Sequence, residues 1–281
     1  MKIKNLGIIA GSGILPAITA DEAIAKGINV KIYIIKEGNF ESLDIARKYK
    51  DISKFISITK VGHALKEFKK DNISHLIMIG KISKENLFKN LKFDLKTLWM
   101  LKNLTNRSDN TIFYALADEF FKYDIEFISQ KIFLKNLFLP VKVYSKKKPS
   151  AQDLKDINYG MYYAKKIGKL DIGQTVVVRY ESILAVEAIE GTDKCIERAG
   201  ILSKGKGAVV CKTEKEKQDC RFDVPAIGIT TLETMKKSGA HLLAFEAEKT
   251  LIVTPEEVIK KANELKLILV GTKVPKNISR K

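Results

Sequence analysis

The chain has 281 residues, of which 45% are hydrophobic and 8% aromatic, enough to bury a core in each of two domains of ordinary size. Charged residues make up 30% and mean hydropathy is -0.09; no apolar run reaches the roughly 18 to 20 residues of a membrane-spanning helix, which excludes a transmembrane protein and a disordered tail. The formal charge of +17 is carried mostly by lysine, with 44 Lys and six Arg. This balance reads as compositional bias, because nucleic-acid readers favour the planar arginine fork, and no nucleic-acid partner is expected.

The N-terminus, Met1-Lys2-Ile3-Lys4, leads into an apolar run interrupted by Gly7 and Gly11. It lacks the continuous core of a secretory signal, which predicts a cytoplasmic protein. Asn5 to Ala10 then reads as a buried strand, Leu15 to Lys26 as a helix and Val30 to Lys36 as a strand; Phe55 to Thr59, Gly62 to Asp71 and His75 to Gly80 repeat strand, helix, strand. Such alternation predicts a largely parallel sheet with helices on its faces. Helical patterns follow at Asp94 to Leu101 and Asn110 to Tyr123, then a short apolar stretch from Glu126 to Ser129.

Prolines 140 and 149 enclose a small charge cluster, Lys146 to Lys148, which marks 141–150 as a linker between domains at 1–140 and 151–272. Beyond it a helix is expected from about Gln152 to Lys166. Thr175 to Arg179 and Ile183 to Ala188 then suggest a hairpin about Tyr180-Glu181-Ser182, before a helix at Asp193 to Leu202 and a strand at Ala208 to Lys212. Residues 273–281 form a basic tail. The overall expectation is two α/β domains, the first Rossmann-like.

Gly11-Ser12-Gly13-Ile14-Leu15-Pro16 sits where the first strand meets the first helix, a position suited to an anionic ligand. Pro16 replaces the third glycine of a dinucleotide fingerprint, and Glu37 is the acidic residue placed to hold a ribose, so a nicotinamide-dependent oxidoreductase is one alternative. The other reading is a tight turn with proline in the first helical turn. In the second half, Glu187 lies in a strand-like apolar run, where a carboxylate is costly unless paired or metal-bound. Its bland reading is a solvent-facing strand edge, while Thr192 or Asp193 fits a helix N-cap. Gln218-Asp219-Cys220-Arg221-Phe222-Asp223-Val224-Pro225 places two carboxylates and an arginine within five residues, which suits phosphate handling or a surface salt bridge. Cys195, Cys211 and Cys220 are too few and too irregular for a disulfide framework or a four-thiolate zinc site. The three histidines form no zinc-ligand pattern, and neither a P-loop nor a nucleophile elbow is present.

The chain resembles the LpxI-type UDP-2,3-diacylglucosamine pyrophosphatases of lipid A synthesis, from Leu6-Gly-Ile-Ile-Ala-Gly11-Ser-Gly13-Ile-Leu-Pro16 to Val270-Gly271. The resemblance is strongest in Leu170-Asp-Ile-Gly-Gln174, Ala185-Val-Glu187-Ala-Ile-Glu190-Gly191-Thr192-Asp193 and Gln218 to Pro225. It implies a ligand cleft between two domains and hydrolysis of a UDP-linked diacylglucosamine to UMP and 2,3-diacylglucosamine 1-phosphate, with Mg²⁺ (or Mn²⁺) as cofactor. Asp223 matches the essential carboxylate. Arg221 and Lys212 would join it in catalysis, and Asp223, Asp193 and Asp219 would face the metal. Substrate contacts are expected from Gly11, Ser12, Gly13, Gly80, Lys81, Asp109, Gln174, Glu190, Gly191, Thr192 and Gln218. Ser108-Asp109-Asn110 replaces the family's Gly-Asp-Asp, and Glu216 stands where a proline is usual. A lipid-linked substrate implies transient contact with the inner membrane, for which Lys146 to Lys148 and the tail are candidates. Homo-oligomerisation is left open, and a non-catalytic binder of nucleotide or anionic lipid is the remaining alternative.

Overall fold

The structure, a computed structural model, describes residues 3–36, 42–57, 59–81, 93–102 and 109–278. It divides into two compact units, one running to Leu134 and including Asp219–Phe222, the other holding Lys135–Gln218 and Asp223–Lys281.

In the first unit, strands β1 (Asn5–Ala10), β2 (Asn29–Ile35), β3 (Ser53–Ile56), β4 (His75–Ile79) and β5 (Glu126–Phe127) form one sheet in the order β3-β2-β1-β4-β5. All four pairings are parallel, with Leu6 aligned to both Val30 and His75. The central strands are covered on both faces, which is why they read as continuous apolar runs rather than alternating ones. Helix α1 (Leu15–Ala25) carries Pro16 in its first turn, where the missing N–H costs nothing. Helix α2 (Ser42–Lys48) falls in a stretch for which no element was expected. Helix α3 (Val61–Lys70) buries Val61, Ala64, Leu65 and Phe68, a helical stripe facing the sheet. Helices α4 (Leu95–Lys102) and α5 (Asp109–Phe121) complete the unit. Tyr33, Phe68 and Phe120 meet edge to face at 4.6 and 5.5 Å. Phe222 stacks on Phe113 at 5.3 Å and tilts onto Phe127 at 5.4 Å, which explains why Asp219–Phe222 belongs to this unit. Strand β3 ends before its expected limit at Thr59, because the Ser57 hydroxyl turns to the Thr59 hydroxyl and backbone N–H.

The second unit is a mixed six-stranded sheet ordered β6-β13-β11-β9-β7-β8, built from β6 (Lys142–Val143), β7 (Thr175–Arg179), β8 (Ser182–Val186), β9 (Val209–Lys212), β11 (Leu242–Glu246) and β13 (Ile268–Thr272). Strands β9, β11 and β13 are mutually parallel, and β7, β8 and β6 pair antiparallel at the flanks. A small parallel pair, β10 (Ala226–Ile227) and β12 (Leu251–Ile252), lies apart from that sheet. Helix α6 (Ala151–Lys169) opens with a capping box between Ser150 and Asp153 and buries Ile157, Met161 and Ala164 with the Val176 and Val209 side of the sheet. Helices α7 (Thr192–Leu202), α8 (Ile229–Ser238) and α9 (Pro255–Glu264) join the core that holds Val177, Val210 and Leu243. The β7–β8 turn places Tyr180 and Glu181 at positive φ, and Asp156 accepts both of their N–H groups. Within 141–150, read as a linker, Lys142–Val143 instead forms the edge strand β6. Ser145 Oγ accepts the Leu269 N–H, and the Lys146 N–H reaches Asn263, so backbone pairing ties the stretch to this unit.

Phe68 is fully buried among aromatic neighbours. Phe68→Ala should lower the stability of the first unit by about 3–5 kcal/mol, read as a shift in denaturant midpoint by Trp99 fluorescence.

Candidate active site

Strand β9 ends in Lys212, whose side chain is only 5% exposed. A buried ammonium is expensive unless hydrogen-bonded and faced by opposite charge. Its Nζ donates to Thr192 Oγ1 at 2.8 Å. Thr192 in turn donates to Glu187 Oε1 at 2.9 Å, and the Thr175 hydroxyl lies 3.3 Å from Thr192 Oγ1. Glu187, 6% exposed, follows β8; its Oε2 accepts the Gln174 N–H at 3.3 Å, and its own N–H goes to the Thr175 carbonyl.

Gly173 permits this approach, since a Cβ there would collide with the backbone of Glu187. Gly191, at φ +83°, turns the chain into α7. Gly191 is the N-cap and makes no side-chain cap bond, so the N-cap reading of Thr192 and Asp193 is corrected. Thr192 is the first helical residue, and its hydroxyl is drawn away to Glu187 and Lys212. The solvent-edge reading of Glu187 is likewise replaced by a buried, bridged carboxylate.

Burial pushes the Lys212 amine below its ordinary value, while the charges of Glu187, Asp223 and Asp193 act in the opposite direction. Among the described residues, Thr192 is its one hydrogen-bond partner, and no carboxylate oxygen lies within 4.0 Å. Gln174 Oε1 and Thr213 Oγ1 are buried without a partner among the described residues. The Thr213 N–H donates to the Gln174 carbonyl, which places these two residues side by side next to Lys212.

Asp223 Oδ2 accepts from Gln218 Nε2 at 2.6 Å, and Gln218 Oε1 accepts the Lys215 N–H at 3.0 Å. Asp223 keeps a solvent-exposed face, yet desolvation by the protein around the rest of the carboxyl pushes it above its ordinary value. Lys215, Lys212 and the Gln218 hydrogen bond oppose this shift, and Glu187 adds to it. Asp193 Oδ1 accepts from Thr231 at 3.1 Å. Glu190 is paired with Arg198 at 2.6 Å and accepts the Ala188 N–H.

The second unit thus links Lys212, Thr192 and Gln174 through Glu187, and sets the charges of Asp223 and Asp193 against the ammonium. Asp219 and Arg221 belong to the first unit, where the guanidinium grips the Asp219 carboxylate at 2.7 to 3.1 Å and lies 5.1 Å from the Phe222 ring centre. The salt-bridge reading of that pair holds. Also in the first unit, the Gly11 N–H goes to Ile79, and Ser12 and Lys81 exchange backbone hydrogen bonds at 2.9 Å. The Ser12 hydroxyl donates to the Lys81 carbonyl. A Cβ on Gly11 would lie 2.6 Å from the Lys81 oxygen, and one on Gly80, at φ +100°, 2.8 Å from Gly11 C, so both glycines serve this close backbone lacing. Gly13 is exposed at φ +97°. Asp109 opens α5 and its side chain lies outside the described residues, as does Glu37.

Among the described residues no group of three or more His, Cys, Asp or Glu is arranged to hold a metal ion. Asp219, in the first unit, is engaged by Arg221. Mg²⁺ is commonly held by one or two carboxylates together with substrate phosphate oxygens and water, a mode that the partly exposed Asp223 fits.

Fold and site together define a two-unit α/β protein whose second unit holds a buried lysine at the end of a sheet strand. The LpxI N-terminal domain model matches residues 5–137 and the LpxI C-terminal domain model matches residues 140–270, so the chain belongs to the LpxI family. A curated relative, UDP-2,3-diacylglucosamine pyrophosphatase LpxI of Caulobacter vibrioides, is 29% identical over 279 residues, covering 96% of this chain and 98% of its own.

Thr192→Val removes the hydroxyl that joins Lys212 to Glu187 and should cost about 1–3 kcal/mol of stability by leaving buried polar groups without partners. Thr192→Ser should restore most of it, as measured by chemical denaturation.

Proposed function

We propose that this chain hydrolyses the pyrophosphate bond of UDP-2,3-diacylglucosamine, releasing UMP and 2,3-diacylglucosamine 1-phosphate. The observation that carries the reading is the buried Lys212 ammonium, with one hydrogen bond and no ion pair among the described residues. Membership of the LpxI family and the relative's named activity supply the substrate.

Breaking a phosphoanhydride requires neutralised phosphoryl oxygens and a placed water. Lys212 supplies the first, held in position by Thr192 and Glu187. Asp223 supplies the second: its carboxylate takes a proton from a water whose oxygen forms the new P–O bond as the bridging P–O bond breaks and the leaving phosphate keeps the electron pair. A divalent cation, Mg²⁺ or Mn²⁺, bound between Asp223 and the substrate would neutralise further phosphoryl charge. Asp193 faces the same ammonium and Gln218 steadies Asp223. Arg221, tied to Asp219, and the Gly11 and Ser12 N–H groups, tied to the β4 end, are given no direct role.

A lipid-linked substrate brings the protein to the cytoplasmic surface of the inner membrane. Among the described residues no helix is long and apolar enough to cross a membrane, and peripheral, transient contact is part of the proposal.

The test is release of UMP and the sugar phosphate from UDP-2,3-diacylglucosamine with Mg²⁺. Asp223→Ala and Lys212→Met should each lose at least about a hundredfold in turnover, and EDTA should suppress the wild type. Equal activity of Asp223→Ala would overturn its assignment, and activity untouched by EDTA would remove the metal.

The raised Asp223 carboxyl also fixes a pH dependence. Because the ionised form is required, the acidic limb of the rate profile should lie above the ordinary aspartate value near 4. The folded state holds this proton more tightly than the unfolded chain, so the group favours folding at low pH and that contribution is lost as pH rises through the folded value. Asp223→Asn should therefore melt no lower than wild type at pH 7 while losing turnover, as thermal scans beside the assay would show.

A further inference from the structure

Two turns flank the Lys212 link in the second unit, and both lie within the described residues together with the chain on either side of them. The first closes α6. The Asp171 N–H donates to the Gly168 carbonyl and the Ile172 N–H to the Ile167 carbonyl, with Asp171 at φ +57°, a left-handed cap that fixes Leu170, Asp171 and Ile172. The second joins β8 to α7. Glu190 accepts the Ala188 N–H on one oxygen and the Arg198 guanidinium on the other, and the same guanidinium nitrogen donates to the Val186 carbonyl. Ile189 is thereby pinned from both sides.

Gly173 fits against the Glu187 backbone and the Gln174 N–H reaches Glu187 Oε2, so the two turns stand at one edge of this unit. Both display apolar side chains to water: Leu170 is 70% exposed, Ile172 48% and Ile189 99%. Ile172 directly precedes Gly173. Ile189 lies in sequence between Glu187 and Thr192, the residues that connect to Lys212.

An isolated exposed aliphatic side chain is ordinary, whereas three of them on two pinned turns beside a polar site form a recognition surface. Charge identifies the occupant. The carboxylates on the turns are neutralised at close range, Asp171 by Lys215 at 2.8 Å and Glu190 by Arg198 at 2.6 Å. An apolar rim next to the Lys212 ammonium therefore complements a molecule with an anionic head and an apolar tail. Lys169, Lys194 and Lys215, beside the same turns, are paired with Glu216, Glu197 and Asp171, which favours a single bound chain over a surface of anionic headgroups.

We propose that Leu170, Ile172 and Ile189 form an apolar rim that receives an acyl chain of the ligand whose phosphoryl oxygens meet Lys212, with Ile189 as a specificity-determining residue. The proposal rests on the function given above for the identity of that ligand. The rim itself selects for any phosphate that carries an apolar chain.

Butyl phosphate and octyl phosphate, both below their aggregation limits, are titrated calorimetrically into the full-length wild type, Ile189→Ser and Ile189→Leu. The wild type should bind octyl phosphate about tenfold more tightly than butyl phosphate, the gain expected of four methylenes partly removed from water. Ile189→Ser should lose most of that ratio while keeping the butyl phosphate affinity and the melting curve, because the side chain is exposed. Ile189→Leu should keep the ratio.

Equal affinity of the wild type for the two phosphates, no binding of octyl phosphate, or an undiminished ratio in Ile189→Ser would overturn the proposal. So would loss of sedimentation with anionic vesicles in Ile189→Ser at unchanged octyl phosphate affinity, which would assign the rim to a lipid surface. Failure of the hydrolase reading shows separately, as a wild type that discriminates chain length and releases no UMP.

Discussion

The second unit depends on keeping one ammonium dry. Lys212 reaches its place because β9 is an interior strand, with β7 on one side and β11 on the other. What makes this tolerable is a chain of small, local devices. Gly173 lets the Glu187 backbone come close, Gly191 turns the chain into α7, and the Thr192 hydroxyl connects ammonium and carboxylate without bringing them into direct contact. A direct ion pair would neutralise the ammonium at contact. The bridging hydroxyl keeps the charge balanced at a distance, which sustains an electrophilic site at some cost in stability.

The first unit shows how the same glycines can serve a different end. Its strand order reverses direction between β1 and β4, the switch point at which open α/β sheets commonly hold ligands. Here the turns after those strands are laced to one another through Ser12 and Lys81, and Gly11 and Gly80 are there because a Cβ would strike the facing backbone. The Gly11 and Ser12 N–H groups are thereby engaged in backbone pairing. The nicotinamide alternative loses its support with them.

Much of the architecture was legible in the sequence. The continuous apolar runs of β1, β2 and β4 and the helical stripe of α3 depend on local periodicity, and the structure places them within a residue or two of the expected limits. Pairing across long separations was not legible. Lys142–Val143 looks like charged linker until β13 is placed beside it, and Asp219–Phe222 looks continuous with Asp223 until Phe222 is seen stacked on Phe113 and tilted onto Phe127. At the site, the cost of a carboxylate in an apolar run singled out Glu187, but its partner could not be read from spacing. Thr192 lies five residues on and Lys212 another twenty, and only the turn at Gly191 brings them together. Thr213, beside Lys212, gave no signal at all.

The most direct measurement is calorimetric binding of a non-hydrolysable UDP-sugar diphosphate analogue to wild type and to Lys212→Met at neutral pH. Wild type should bind, and the variant, folded but lacking the buried charge, should lose most of that affinity. Equal affinity in the two proteins would contradict the role of Lys212 as the group that receives the phosphoryl oxygens.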